Sequence, residues 1–397
     1  MDVVERLASL AVGLGANVQP GQVVEVKAEV GHEDVVRAVA DAAYRAGASY
    51  VDLRVSDPYV DRSRVRYASG GTLDYVPSWE VERIRTMGRE RYASIKVTGP
   101  CAPGLFDDLD PTRVARASLS LSPEWRKVEL LVNWTVVPSP TPGWARALRP
   151  ELEEEQAIAE LWKDITIACR LDEPDPVHAW RERLKELQEH ARTLTALKLK
   201  SVRFEAPGTD LSVGLLPGAR WEHPVMQSAR GIEHVPNLPT EEVFTVPDPT
   251  RVDGHVCLTR PALVGGRLID EARLEFRSGQ VVEVEGSDGI QALREFIARD
   301  PGASRLGELA LVDNDGRVGR LNRTFGVILL DENCVSHIAL GFGFPETVEE
   351  SDQPAVNESG FHLDLMVGSE KLKVTGTTAT SDERVLLDGG EWSLTEQ

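Results

Sequence analysis

The chain is 397 residues long, 41% hydrophobic and 27% charged, with 44 Lys and Arg against 64 Asp and Glu and a formal net charge of −20. That length exceeds what one ordinary core organises, so two domains are expected, and the composition describes a globular chain rather than a disordered one. A surface this acidic repels nucleic acid and anionic membranes and argues against both as partners.

The opening stretch, MDVVERLASLAVGLGANVQPG, carries charges at Asp2, Glu5 and Arg6 and no basic segment ahead of its apolar residues. It predicts an amphipathic helix rather than a signal peptide. No apolar run approaches the ~20 residues that span a bilayer. QVVEVKAEV (22–30) predicts a strand, and EDVVRAVADAAYRAGA (33–48) a helix with Val35, Val36, Val39, Ala40 and Ala43 on one side. SYVDLRV (49–55) is a second strand, which completes a βαβ unit and implies a parallel sheet covered by helices. YASIKVTG (92–99) and KVELLVNWTVV (127–137) extend that sheet. No G-x-G-x-x-G joins strand to helix, so the unit has no dinucleotide signature.

P-S-P-T-P-G (138–143) breaks the pattern, and two helices follow over 151–171 and 176–200. His178 and His190 lie 12 residues apart on the second, without a carboxylate at ligand spacing, and read as solvated or packing residues. From about residue 201 the texture changes to short strands and turns, with a hairpin at Ser278-Gly279 and one helix over 288–300. The expected fold is therefore an α/β N-terminal domain over 1–200, ending in a helical pair, and a β-rich α+β domain over 201–397. Cys101, Cys169, Cys257 and Cys334 form no C-x-x-C, as fits reduced thiols of a cytoplasmic protein.

Four polar features stand out in the second half: Glu241-Glu242 ahead of Val243-Phe244, Glu308 in R-L-G-E-L-A-L-V, His337 in D-E-N-C-V-S-H-I-A-L-G, and the pair His362 and Asp364 in G-F-H-L-D-L-M-V. Each alone has an ordinary explanation, such as a solvated turn, a solvent-facing strand glutamate or a satisfied histidine. His362 and Asp364 are two apart in a strand and so share one face, roughly 6.6 Å apart along the chain. Together the two Glu, two His and one Asp make an oxygen and nitrogen donor set that suits Zn, Co, Mn or Mg rather than a thiolate site. Carboxylates buried in such strands need cations or Arg partners close by.

The chain resembles the M29 metallopeptidases of the aminopeptidase T type. The resemblance is diffuse in the first half and specific in the second, through N-L-P-T-E-E-V-F-T-x-P (237–247), R-V-D-G (251–254), L-G-E-L-A-L-V (306–312), D-E-N-x-x-S-H-I-A-L-G (331–341), N-E-S-x-x-H-L-D-x-M-V-G-S (357–369) and G-E-W (390–392). It implies two divalent metal ions held by Glu242, Glu308, His337, His362 and Asp364. It leaves Glu241 as a supporting carboxylate or catalytic base. It also implies peptide substrates shortened from their N-termini with broad specificity, and a homodimer that shelters its sites in an internal cavity. Where the family typically reads H-x-A-L-G-R-x-Y, this sequence reads H-I-A-L-G-F-G-F, so Phe342 replaces an arginine and Phe344 a tyrosine that assists catalysis. Losing one such hydrogen-bond donor typically costs about 10²–10³ in rate.

Two other readings use the same residues. A ring-cleaving dioxygenase-like enzyme would hold one iron with His337, His362 and Asp364. A metal-binding homologue with reduced or lost catalysis would account for Phe342 and Phe344.

Overall fold

The computed structural model describes residues 2–394 apart from 74, 119–121, 265–266 and 288. It divides into two compact units, Met1–Glu182 with Pro224–Thr240, and Arg183–His223 with Glu241–Gln397. The division differs from a single cut at 200 for two local reasons. The second unit begins inside the helix Pro176–Ala196, because Leu187, Ala191 and Leu194 belong to its core. Residues 224–240 return to the first unit, where the Leu238 N–H donates to the Val136 carbonyl at 3.0 Å and the Val136 N–H to that of Pro236 at 2.7 Å.

In the first unit, β1 (Val23–Glu29), β2 (Tyr50–Ser56), β3 (Tyr92–Thr98) and β4 (Asn133–Pro138) form a sheet in the order β2-β1-β3-β4, every pairing parallel. The helix Val3–Leu10 opens on a capping box, in which the Asp2 side chain accepts from the Glu5 N–H and Glu5 reaches back to the cap. The helix Glu33–Arg45 buries Val35, Val36, Val39 and Ala43 as its spacing predicts, with Ala42 in place of the half-buried Ala40.

Other elements depart from expectation. The strand expected over 127–137 is confined to β4, with a 3₁₀ turn at Glu129–Leu131 before it. The proline-rich break leads into the helix Pro142–Leu148, which Thr141 caps and Pro142 enters at its first turn. Helices at Pro58–Tyr67 and Ser78–Arg89 were not expected. No helix among the described residues is long and apolar enough to cross a membrane.

The second unit holds an eight-stranded antiparallel sheet in the order 280–286, 272–277, 247–257, 209–215, 199–206, 373–378, 383–388, 391–392. The expected hairpin is there, with Ser278 and Gly279 at φ 48° and 82°. A second sheet carries the site: β5 (Glu242–Thr245), β6 (Leu306–Val312), β7 (His337–Gly341) and β8 (His362–Met366), antiparallel in the order β8-β7-β6-β5.

Its register separates two faces. Leu309, Ile338 and Leu365 lie in one cross-strand row, Leu311 faces Val243, and all five belong to the hydrophobic core. The opposite face brings Glu308, Ala339 and Asp364 into one row and Ala310, His337 and Met366 into the next. Glu242 and His362 share that face at its corners, opposite Val312 and Gly341.

Gly307 makes the bulge that starts this arrangement, with the register shifting between Leu306 and Glu308. A Cβ at 307 would lie 2.3 Å from the carbonyl oxygens of both Gly341 and Phe342. Gly307→Ala is therefore expected to destabilise the fold by about 2 kcal/mol or more, read from a denaturant midpoint. Gly13→Ala, where no atom lies within 4 Å of the added Cβ, serves as the tolerant control.

Candidate metal centre

Strand alternation brings the candidate ligands to one face. With Leu363 and Leu365 buried in the core, His362 and Asp364 emerge together on the other face of β8. Glu308 emerges from β6, a strand whose seven residues are all buried, and is itself only 5% exposed. Glu242 opens β5 and His337 opens β7.

These side chains form two groups, Glu242 with Glu308 and His337, and Glu308 with His362 and Asp364; within each, one donor atom per residue lies within 4.8 Å of the others. Glu308 belongs to both. His337 Nε2 is 3.3 Å from Glu242 Oε2, and His362 Nε2 is 3.0 Å from Glu308 Oε2 and 3.2 Å from Asp364 Oδ1. Between them the sheet presents only the methyls of Ala310 and Ala339.

Both imidazoles are oriented from behind. His337 Nδ1 lies 3.1 Å from the Glu332 carbonyl oxygen and His362 Nδ1 lies 2.9 Å from that of Phe342. A carbonyl oxygen can only accept, so each Nδ1 carries a proton, and Nε2 is the atom each ring aims at the carboxylates and can offer to a metal once it holds no proton.

Glu241 lies elsewhere. It is fully buried, its carboxylate accepts from Arg183 Nε at 2.6 Å, and it belongs to neither ligand group. Its backbone N–H donates to Asn333 Oδ1 at 2.6 Å, which ties the start of β5 to the segment before β7. Ser336 adds a second tie, accepting from the Val312 N–H at 3.0 Å at the end of β6. His190 packs its ring 4.5 Å from that of Trp392 and His178 is exposed, so neither approaches a ligand group.

One acidic residue was missed in the sequence. Glu332 is 8% exposed, and burial together with the charges of Glu242, Asp364 and Glu308 pushes its carboxyl well above the ordinary glutamate value. It stands five residues ahead of His337 in D-E-N-C-V-S-H, a spacing that by itself marks no shared face. Burial, Glu308 and Asp364 raise Glu242 in the same way. Burial opposes a charged His362, but the Asp364 and Glu308 carboxylates outweigh it and hold the imidazole well above its usual value. Burial also pushes Asp364 up, and the positive charge of His362 overcomes it, leaving that carboxyl below normal.

So much buried negative charge requires protons or cations. The donors present fit divalent cations: carboxylate oxygens and inward imidazole nitrogens, with no thiolate among them. Cys334, the nearest cysteine in sequence, has its thiol pushed up to about 12 by burial and directs it to the Leu330 carbonyl at 3.2 Å.

The family profile of thermophilic metalloproteases (M29) matches residues 2–392. The chain belongs to the M29 family. This M29 chain is 37% identical to aminopeptidase T of Thermus thermophilus over 98% of each chain. It is 32% identical to aminopeptidase 2 of Geobacillus stearothermophilus, over 98% of this chain and 97% of that one. The solved structure of wild-type AmpT from Thermus thermophilus matches the M29 fold with a TM-score of 0.91 at 36% identity, covering 99% of each chain. The family resemblance carried by the second-half blocks thus extends through the first unit as well.

In the metal-free protein, the raised affinities of Glu242, Glu332 and His362 keep protons at the site that ligation must displace. Divalent metal binding is expected to release protons, seen as a calorimetric enthalpy that changes with the ionisation enthalpy of the buffer. The sign follows: metal affinity falls as pH is lowered.

Proposed function

We propose that this M29 chain is a metalloaminopeptidase that releases N-terminal residues from peptides, with two divalent ions (Zn, Co, Mn or Mg) held by Glu242, Glu308, His337, His362 and Asp364. The observation that carries this reading is that Glu308 is common to both candidate groups, so that one carboxylate would serve two ions. The curated relatives cited above are named aminopeptidases, which supports the substrate class. When bound, such ions supply an acidified water as nucleophile and positive charge facing the developing oxyanion.

The protein's own side chains do the remaining work. Glu332, whose raised proton affinity makes its carboxylate a stronger base than an ordinary glutamate once cations offset the neighbouring negative charge, would accept a proton from the attacking water and return it to the departing amine. Glu241 is a positioning residue: with Arg183 and Asn333 it fixes the backbone from which Glu242 projects. The carbonyls of Glu332 and Phe342 hold the two imidazoles in their ligating orientation. The same reading makes the protein a cytoplasmic homodimer, a state consistent with its four free cysteines.

The single-iron reading draws less support, because His337, His362 and Asp364 make up neither ligand group and both groups contain Glu308. A second reading, attenuated catalysis, rests on Phe344, whose ring lies 5.5 Å from that of His362 and has no hydroxyl to donate.

Release of arylamine from aminoacyl-arylamides is expected to cease on chelation and to fall at least 10³-fold, to order of magnitude, in Glu308→Ala. Turnover that survives both changes would overturn the proposal. Phe344→Tyr is expected to raise turnover by about 10²-fold if a donor is the missing part. No gain would show that this chain works without one.

A further inference from the structure

Three phenylalanines stand beside the ligands. The Phe342 ring centroid is 4.7 Å from that of His362 and 5.4 Å from that of Phe344, and Phe344 lies 5.5 Å from His362. Phe244 meets Phe344 at 5.7 Å. The Phe244–Phe344 and Phe342–Phe344 contacts are edge-to-face, at 65° and 79°, a favoured arrangement of aromatic rings.

None of the three is fully buried, although the face they flank belongs to a sheet whose opposite side is closed core. Their positions follow from the sheet. Phe244 lies two residues beyond Glu242 in β5 and so shares the ligand face. Phe342 and Phe344 follow the end of β7.

The rings are held rigidly. The Phe342 N–H donates to the Phe361 carbonyl at 2.8 Å, and the Phe342 carbonyl is the acceptor that orients His362. Gly343 between them donates to the Asn357 carbonyl at 2.9 Å. The Phe344 carbonyl accepts from both the N–H and the hydroxyl of Thr347, at 3.0 and 2.8 Å, and its ring packs on Leu216, Val246, Val348 and Val356. Pre-positioned apolar surface of this kind binds without a further ordering cost.

We infer that Phe244, Phe342 and Phe344 form an aromatic subsite that receives the side chain of the substrate's N-terminal residue and selects bulky apolar ones. The inference rests on the aminopeptidase reading. In that reaction the α-amino group and the scissile carbonyl of the first residue would both face the side chains that hold the metal. Its side chain, one bond from the carbon between them, must then lie within a few ångströms of the ligands, where the three rings stand. An acidic centre would otherwise favour a cationic side chain; the rings oppose this, since they provide dispersion and excluded water but no counter-charge.

The test is calorimetric binding of L-phenylalanine hydroxamate and L-alanine hydroxamate to the zinc-loaded protein. Phenylalanine hydroxamate is expected to bind about tenfold or more tighter, and lysine hydroxamate no better than alanine hydroxamate. In Phe342→Ala the ratio is expected to fall to within about threefold. Phe342→Leu should restore part of the ratio. An unchanged ratio in Phe342→Ala, or tighter binding of lysine hydroxamate in the parent protein, overturns the inference. A preserved aromatic preference in a protein that releases no amino acid supports the subsite and overturns the aminopeptidase reading alone.

Discussion

Everything in the second unit depends on placing buried carboxylates on one face of a sheet whose other face is oil. Four acidic groups, Glu242, Glu308, Glu332 and Asp364, share that region with His337 and His362. In a low-dielectric interior such a group is stable only with its charge neutralised. The apolar residues between the ligands make the arrangement possible. Leu309, Leu311, Ile338, Leu363 and Leu365 bury the back of the sheet, and their burial keeps the strands in the one register that brings the ligands together. A slip of one residue in β8 would send His362 and Asp364 into the core and two leucines toward the site.

Rigidity is added by groups that never meet a substrate. Asn333 clamps the entry to β5, Ser336 clamps the end of β6, and Gly307 permits a backbone approach that a side chain would block. The Phe342 carbonyl fixes the tautomer of His362 while its ring flanks the same imidazole. A metal centre built on strands in this way has little freedom to relax, which is what precise ligand geometry requires.

The grouping of the candidate residues was legible because strand alternation is a period of two, and an ionisable residue inside an apolar run breaks that period visibly. His362 and Asp364 show this best. Glu332 was not legible, since it follows the short helix Ile328–Asp331 and its approach to Glu242 and Glu308 depends on a turn with no periodic trace. Two of the missed helices of the first unit have a similar cause. Pro58–Tyr67 buries only Pro58 and Val65, and Ser78–Arg89 only Ile84 and Met87, so neither carries an apolar stripe wide enough to announce a helix. The single cut at 200 failed to anticipate residues 224–240, whose return to the first unit is made by backbone hydrogen bonds that any sequence can form.

Ala310 and Ala339 make a final point about what defines such a centre. They lie in adjacent rows of the ligand face, each flanked by long acidic or imidazole side chains, and contribute nothing beyond a methyl group. Their smallness sets the headroom above the sheet. A valine at either position would leave every ligand in place yet occupy the volume the ligands surround. The centre is therefore specified by an absence of bulk as much as by its donors. A homologue that kept Glu242, Glu308, His337, His362 and Asp364 but enlarged this floor would carry the same signature in its sequence with less room above the sheet.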